Sequence, residues 1–168
     1  MKKIYEEENF SLYEFKPSIL KPFKINLEPL TLRRRIRFIK AYFTGFKVYY
    51  LKENGIYIGY CLVQNGKDNR YKFSTSKDII VGPYFISENY RGKRLSVKLL
   101  DIVLHKIPLE YRFAYDYIQK ENIPSIRASE AVGFEYYSDA NVSRFLRRII
   151  LCEEPEGEYV VLRKKKNY

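Results

Sequence analysis

The segment 79–100 constrains the fold of this 168-residue chain more than any other. It reads Ile79-Ile80-Val81-Gly82-Pro83-Tyr84-Phe85-Ile86, then Ser87-Glu88-Asn89-Tyr90-Arg91-Gly92-Lys93-Arg94, then Leu95-Ser96-Val97-Lys98-Leu99-Leu100. The β-branched and aromatic opening predicts a strand. From 92 to 106 the pattern turns helical: Leu95, Leu99, Ile102 and Val103 form one stripe, and Arg94, Lys98, Asp101 and His105 form a polar stripe beside it. Pro108 ends that helix, and the tyrosine-rich run 109–118 follows as a strand. Strand, helix and strand in this order predict a parallel crossover. Pro83 has no N–H to donate, so the strand 79–86 is expected to be bulged or to hold that position off its ladder.

The rest of the chain fits around this unit. Thr31 can cap a helix whose apolar positions Leu32, Ile36, Ile39 and Phe43 are spaced 4, 3 and 4 apart, with Arg33, Arg34, Arg37 and Lys40 on other faces and Gly45 as its stop. The runs 46–51 and 56–63 flank Asn54-Gly55 and predict a β-hairpin. A turn at 65–69 leads into a short strand at 71–74. Pro124 opens and Gly133 closes a further helix, and 134–137, 145–151 and 159–162 complete the strands. The expected class is mixed α/β (α+β): a central, mostly antiparallel sheet with one parallel crossover, flanked by helices, in a single domain spanning 1–168.

At 46% hydrophobic residues the chain can bury a core without disulfides or metal, which excludes a disordered protein. Cys61 and Cys152 lie far apart and lack metal-ligand spacing, so neither a disulfide framework nor a metal site is expected. Glu6-Glu7-Glu8 follows Met1-Lys2-Lys3 where a secretion signal needs an apolar stretch, and no apolar run reaches the roughly 20 residues a bilayer span needs. A cytoplasmic protein with no membrane partner is expected. The charge, 31 Lys+Arg against 20 Asp+Glu or +11, favours anionic partners.

The chemistry concentrates where the strand 79–86 bends into its helix. The first amides of a helix have no intrahelical acceptors and carry the positive end of the macrodipole, so 92–97 forms an anion cradle. Arg91, Lys93 and Arg94 add formal charge, and Gly92 lets the backbone approach an anion closely. A pyrophosphate suits this chemistry.

The stretch resembles motif A of the GNAT N-acetyltransferase superfamily, in which a strand delivers Arg/Gln-x-x-Gly-x-Gly/Ala to a helix that binds the pyrophosphate of acetyl-coenzyme A. Its six positions here are Arg91, Gly92, Lys93, Arg94, Leu95 and Ser96, with Arg94 and Ser96 standing where small residues are usual. The segment 121–134 is similar to motif B of the same family through Asn122, Ser125, Ile126 and Gly133-Phe134. The resemblance covers roughly 46–164, and residues 1–45 match it loosely.

The resemblance implies acetyl-coenzyme A as co-substrate, bound by Arg91, Gly92, Lys93, Arg94, Leu95, Ser96 and Val97. It further implies strands that splay near Ile86 and Ile118 to admit the pantetheine arm. Tyr84, Phe85 and Ile86 would offer backbone groups to that arm and to the acetyl carbonyl, with Asn122 and Ser125 on its other side. A fixed N–H on the carbonyl stabilises the tetrahedral oxyanion, and no enzyme nucleophile is needed. The family's tyrosine acid in motif B is replaced by Ser129, a poor acid, although a thiol leaving group with a pKa of about 8.5 departs with little help. Tyr115, Tyr117 and Tyr136 are candidate substitutes for it, each set against a packing role among 17 tyrosines. For the general base Tyr117 comes first, at a position where some relatives carry glutamate, with Glu121 and Asp116 behind it. Asp116 is expected on the opposite face of the strand from Tyr117. His105, three turns along the helix, and both cysteines are read as structural.

The implied activity is direct acetyl transfer to a small amine, such as a nucleotide-linked amino sugar. Two other readings compete with it: a non-catalytic nucleic-acid or ribosome-associated module, and a protein or peptide N-acetyltransferase. The basic residues are dispersed, which argues against nucleic acid, and the basic balance argues against an acidic peptide groove. Tyrosine-rich strands can equally line a pocket or a homodimer interface. The Arg33-Arg34-Arg35 run opposes the helix dipole and is a candidate contact for an anionic substrate.

Overall fold

The computed structural model describes residues 1–29 and 31–166, without the side chains of Arg33, Arg34, Ile36, Arg37 and Lys40. Its elements are β1 (Lys2–Glu7), β2 (Phe10–Phe15), α1 (Leu32–Thr44), β3 (Phe46–Glu53), β4 (Ile56–Asn65), β5 (Ile79–Ile86), α2 (Leu95–Asp101), β6 (Phe113–Gln119), α3 (Ile123–Glu130), β7 (Glu135–Val142), β8 (Ile149–Leu151) and β9 (Tyr159–Lys165). The nine strands run in the order β1-β2-β3-β4-β5-β6-β9-β7-β8, and β5 with β6 is the parallel pair. This is the mixed, mostly antiparallel architecture expected from the element pattern. The chain packs as two compact units, Met1–Gln64 with Pro83–Leu109 and Asn65–Gly82 with Glu110–Tyr168.

In the first unit, Asn54 (φ 47°) and Gly55 (φ 86°) make the left-handed turn that joins β3 to β4. The β1–β2 hairpin has no counterpart in the sequence reading, which assigns nothing to 1–30. Its β2 extends the sheet through six registered pairs, from Phe10↔Glu53 to Phe15↔Val48, and buries Leu12 completely. Helix α1 starts and stops where Thr31 and Gly45 place it, but the buried stripe differs. Phe38 and Ala41 enter the core, whereas Leu32 (74% exposed), Ile39 (40%) and Phe43 (71%) face outward. Aromatic neighbours decide this: Phe38 meets Phe23 edge-on at 5.0 Å and Phe46 at 5.8 Å between ring centroids. The side chains of Arg33, Arg34 and Ile36 are outside what the structure describes.

Helix α2 begins at Leu95 rather than at 92, and a single wide turn, Ile102–Lys106, continues it. In the second unit the expected strand at 71–74 is a turn that touches the sheet only through the bridge Tyr71↔Ile149. Polar side chains hold it there: Asp68 Oδ1 accepts from the Arg70 amide at 2.9 Å, and Ser74 Oγ donates to the Gly66 carbonyl at 2.7 Å. Of the expected strand 145–151 only Ile149–Leu151 is extended. The remainder is a loop closed by the Ser143 amide on the Arg148 carbonyl at 2.8 Å. An aromatic core covers one face of β6, built from Tyr71, Tyr115 and the partly buried Phe73, Phe113, Tyr117, Tyr137 and Tyr159.

Candidate functional site

Within the first unit, β5 leaves the sheet through the Ser87 amide, which donates to the Ile58 carbonyl at 2.8 Å, and then makes one tight turn at Glu88–Tyr90. Gly92 follows with φ +79°, and an added Cβ there would meet nothing within 4 Å. Arg94 caps α2 in the left-handed region (φ 56°, ψ 22°) and its side chain makes no capping hydrogen bond. The Lys98 amide bonds the Arg94 carbonyl at 3.1 Å, so the amides of Leu95, Ser96 and Val97 precede the helical ladder. The backbone at Arg94 is left-handed, a conformation glycine adopts freely and a non-glycine residue accepts at a cost of about 1 kcal/mol.

The basic side chains of the bend divide their work. Arg91 folds back on β5, donating from Nε to the Ile86 carbonyl at 3.1 Å, with Nη1 3.5 Å from Glu88 Oε1 and its guanidinium 5.6 Å from the Phe85 ring centroid. It therefore latches the bend. Lys93 lies over the Tyr90 ring at 5.7 Å. Phe85 stacks on Tyr60 at 5.9 Å, and Ile86 is buried. Gly59 makes this possible, because a Cβ there would lie 2.5 Å from the Phe85 carbonyl oxygen. Sequence reading missed Gly59; an isolated glycine between two apolar halves of a strand is the signal that marks a close backbone approach.

In the second unit, β5 and β6 register as a parallel pair at Ile79↔Ala114 and Ile80↔Tyr115. Gly82 (φ 100°) and Pro83 follow immediately, so the disturbed pairing expected at the proline is present. Along β6 the side chains alternate as expected. Tyr115 and Tyr117 face the aromatic core, and Asp116 faces α3, where Ser129 Oγ donates to its Oδ2 at 2.7 Å.

Ser129 is fully buried and Asp116 is 4% exposed. Burial pushes the Asp116 carboxyl up to about 7, against the opposing pull of the Ser129 hydroxyl and the Tyr117 amide. The two candidates are thus brought together as an internal pair joined by that hydrogen bond.

Tyr117 is half-buried between Tyr71 and Tyr159, at 5.7 and 6.1 Å between ring centroids, and accepts from Arg70 Nη2 at 3.3 Å. Asn122 is the N-cap of α3, its Oδ1 accepting from the Ser125 amide at 3.4 Å. The two therefore meet in a cap, and the carboxamide nitrogen carries the donors left to Asn122. Glu121 is exposed, Tyr136 is 61% exposed with its hydroxyl 3.3 Å from Asp139 Oδ1, and Tyr115 is buried. His105 Nδ1 pairs with Asp101 Oδ1 at 2.7 Å, a contact along one helix face. Cys61 is buried, Cys152 half-buried, and both are thiols. Among the described residues no helix is long and apolar enough to cross a membrane.

No family model matches the chain, and no curated protein matches it either. Solved structures do. Aminoglycoside acetyltransferase AAC(6')-Ib in complex with coenzyme A superposes with a TM-score of 0.60 at 16% identity over 79% of this chain and 75% of that one. An acetyltransferase from Thermus thermophilus gives 0.57 at 16% identity, over 83% and 77% of the two chains. The Campylobacter jejuni N-acetyltransferase PseH gives 0.56 at 13% identity, over 95% of this chain and 100% of its own. The chain has the fold of the GNAT acetyltransferases.

Proposed function

We propose that this protein is an acetyl-coenzyme A-dependent N-acetyltransferase acting on a small amine. One observation carries the reading: the bend after β5 leaves the amides of Leu95, Ser96 and Val97 ahead of the helical ladder, beside open space at Gly92 and without a side-chain cap. An anion is the natural complement of such a terminus. The residues fit a diphosphate through main-chain donors, with Lys93 and Arg94 adding charge and Arg91 holding the bend in shape.

Acetyl-coenzyme A supplies an activated acyl group. The chain's own part is to hold it, to polarise its carbonyl through the backbone near Phe85 and Ile86, and to take a proton from the acceptor ammonium. The amine then forms the new C–N bond as the C–S bond breaks, and coenzyme A leaves as thiol. Tyr117 is the residue assigned to that proton. The buried Ser129–Asp116 pair supports no acid role for Ser129, and an easily departing thiolate makes one dispensable. The aromatic face of β6 and the +11 charge support a phosphorylated acceptor with a sugar or base ring, such as a nucleotide-linked amino sugar.

Isothermal titration with acetyl-coenzyme A tests the first half, and release of free thiol on a panel of amines, amino sugars and nucleotide-linked amino sugars tests the second. Micromolar binding with amine-dependent thiol release is expected. No binding at millimolar ligand overturns the reading.

A further inference from the structure

Arg70 lies in the second unit, outside both motifs that carry the family resemblance. Its backbone is fixed on both sides: the amide donates to Asp68 Oδ1 at 2.9 Å and the carbonyl accepts from the Ile149 amide at 2.8 Å. The guanidinium donates from Nε to the Arg147 carbonyl at 3.3 Å and from Nη2 to Tyr117 Oη at 3.3 Å, with its carbon 5.3 Å from the Tyr71 ring centroid. Nη1 is buried and has no hydrogen-bond partner. Among the described residues no carboxylate pairs with it.

A guanidinium stays protonated in proteins, and here the residue is half-buried with Nη1 as its shielded, unpartnered nitrogen. Its field acts on the nearest group that can change protonation. Tyr117 meets Tyr71 from the 65–78 segment, Tyr159 from β9 and the Arg70 guanidinium, which places a cation at hydrogen-bond distance from the phenol oxygen. When the phenol ionises, its oxygen turns from a shared neutral acceptor into an anion, and the same guanidinium holds a second donor with no acceptor of its own. An opposite charge at this range favours the ionised form.

We propose that Arg70 is the positioning residue that holds Tyr117 in place and stabilises its phenolate, fitting it to accept the proton of the acceptor amine. The proton passes from ammonium to phenolate oxygen, leaving neutral amine and neutral Tyr117. This rests on the proposed function for the use of that proton, but the Arg70–Tyr117 coupling is measurable without turnover.

The full-length protein with 3-fluorotyrosine at position 117 is titrated by ¹⁹F NMR alongside the same label in R70M, R70Q and R70K. Loss of the charge in R70M is expected to raise the titration midpoint by about one unit or more, and R70K to recover at least half of the shift. R70Q keeps a donor without the charge, so it decides the matter should R70M fail to fold. Equal midpoints in the labelled wild type and R70Q overturn the proposal, because a purely structural arginine leaves the titration unmoved. Calorimetry with acetyl-coenzyme A is the separate control: absent binding fells the acetyltransferase reading, while the fluorine midpoints still decide the coupling.

Discussion

The hydroxyl of Ser129 donates to Oδ2 of Asp116 at 2.7 Å, and both side chains are buried. Asp116 is thus an acid that folding prefers protonated, with its carboxyl pushed from 3.8 up to about 7 by burial. Well below pH 3.8, folded and unfolded chains both keep the proton. As pH rises the unfolded chain releases it first, so stability falls between about pH 4 and 7 and the full penalty, about 4 kcal/mol, persists above. Asp116→Asn keeps an acceptor for Ser129 and cannot ionise. Urea unfolding at pH 4.5, 6 and 8 is expected to show the variant gaining about 2–4 kcal/mol at pH 8 and about 1 kcal/mol at pH 4.5. An identical pH dependence in both proteins contradicts the burial assigned to this pair.

Asp78 has the opposite sign. Its fully buried carboxylate accepts from Arg112 Nε and Nη2 at 3.2 and 3.1 Å, from the Thr75 amide and hydroxyl at 2.8 Å each, and from the Phe113 amide at 3.2 Å. Burial alone would raise its pKa, but these donors together outweigh it and hold the carboxyl below 3.8. Its stabilisation is present above pH 3.8 and is lost as pH falls through the lowered folded value. Asp78→Asn is expected to cost about 2–4 kcal/mol at pH 7, less than a fully buried pair because Arg112 is half exposed, and to shrink that cost toward pH 3. Thermal melts across pH 3–7 check it.

Much of the fold was legible because its signals are local. Asn54-Gly55, Thr31, Gly45 and Gly133 act through their own backbone, and each marked its boundary. The misplaced elements are those decided by distant partners. Phe38 outranks the more periodic Leu32, Ile39 and Phe43 only because Phe23 and Phe46 converge on it. The β1–β2 hairpin carries five glutamate and lysine side chains among its strands' residues and reads as solvated chain until β3 supplies an edge. At the candidate site, the anion bend follows from strand-turn-helix order, so it was visible. Arg70 was not, since nothing in the 65–78 segment announces that it meets Tyr117, 47 positions away.

Gly59 tests the close approach of β4 to β5. A methyl group there lies 2.5 Å from both the Phe85 carbonyl oxygen and Ile86 Cδ1. The side chain can move but the carbonyl cannot, so Gly59→Ala is expected to displace the backbone at Phe85. The outcome is a loss of about 1–3 kcal/mol in stability and a weakened acetyl-coenzyme A affinity measured by calorimetry. Unchanged affinity in a folded variant removes Phe85 and Ile86 from the binding surface.

Arg94→Gly and Gly92→Val form a pair that separates main-chain from side-chain recognition. Arg94 holds φ 56° without a glycine's freedom, so Arg94→Gly relieves strain of about 1 kcal/mol, partly offset by the unfolded chain's added entropy. It also keeps every amide of the cradle. Gly92→Val strains a residue at φ +79° and projects a side chain into space that is open in the protein alone. If main-chain donors bind the diphosphate, Gly92→Val lowers acetyl-coenzyme A affinity at least about tenfold, about 1.4 kcal/mol, while Arg94→Gly lowers it less and melts no earlier than wild type. The reverse ranking assigns the anion to the Arg94 side chain and leaves the amides without that role.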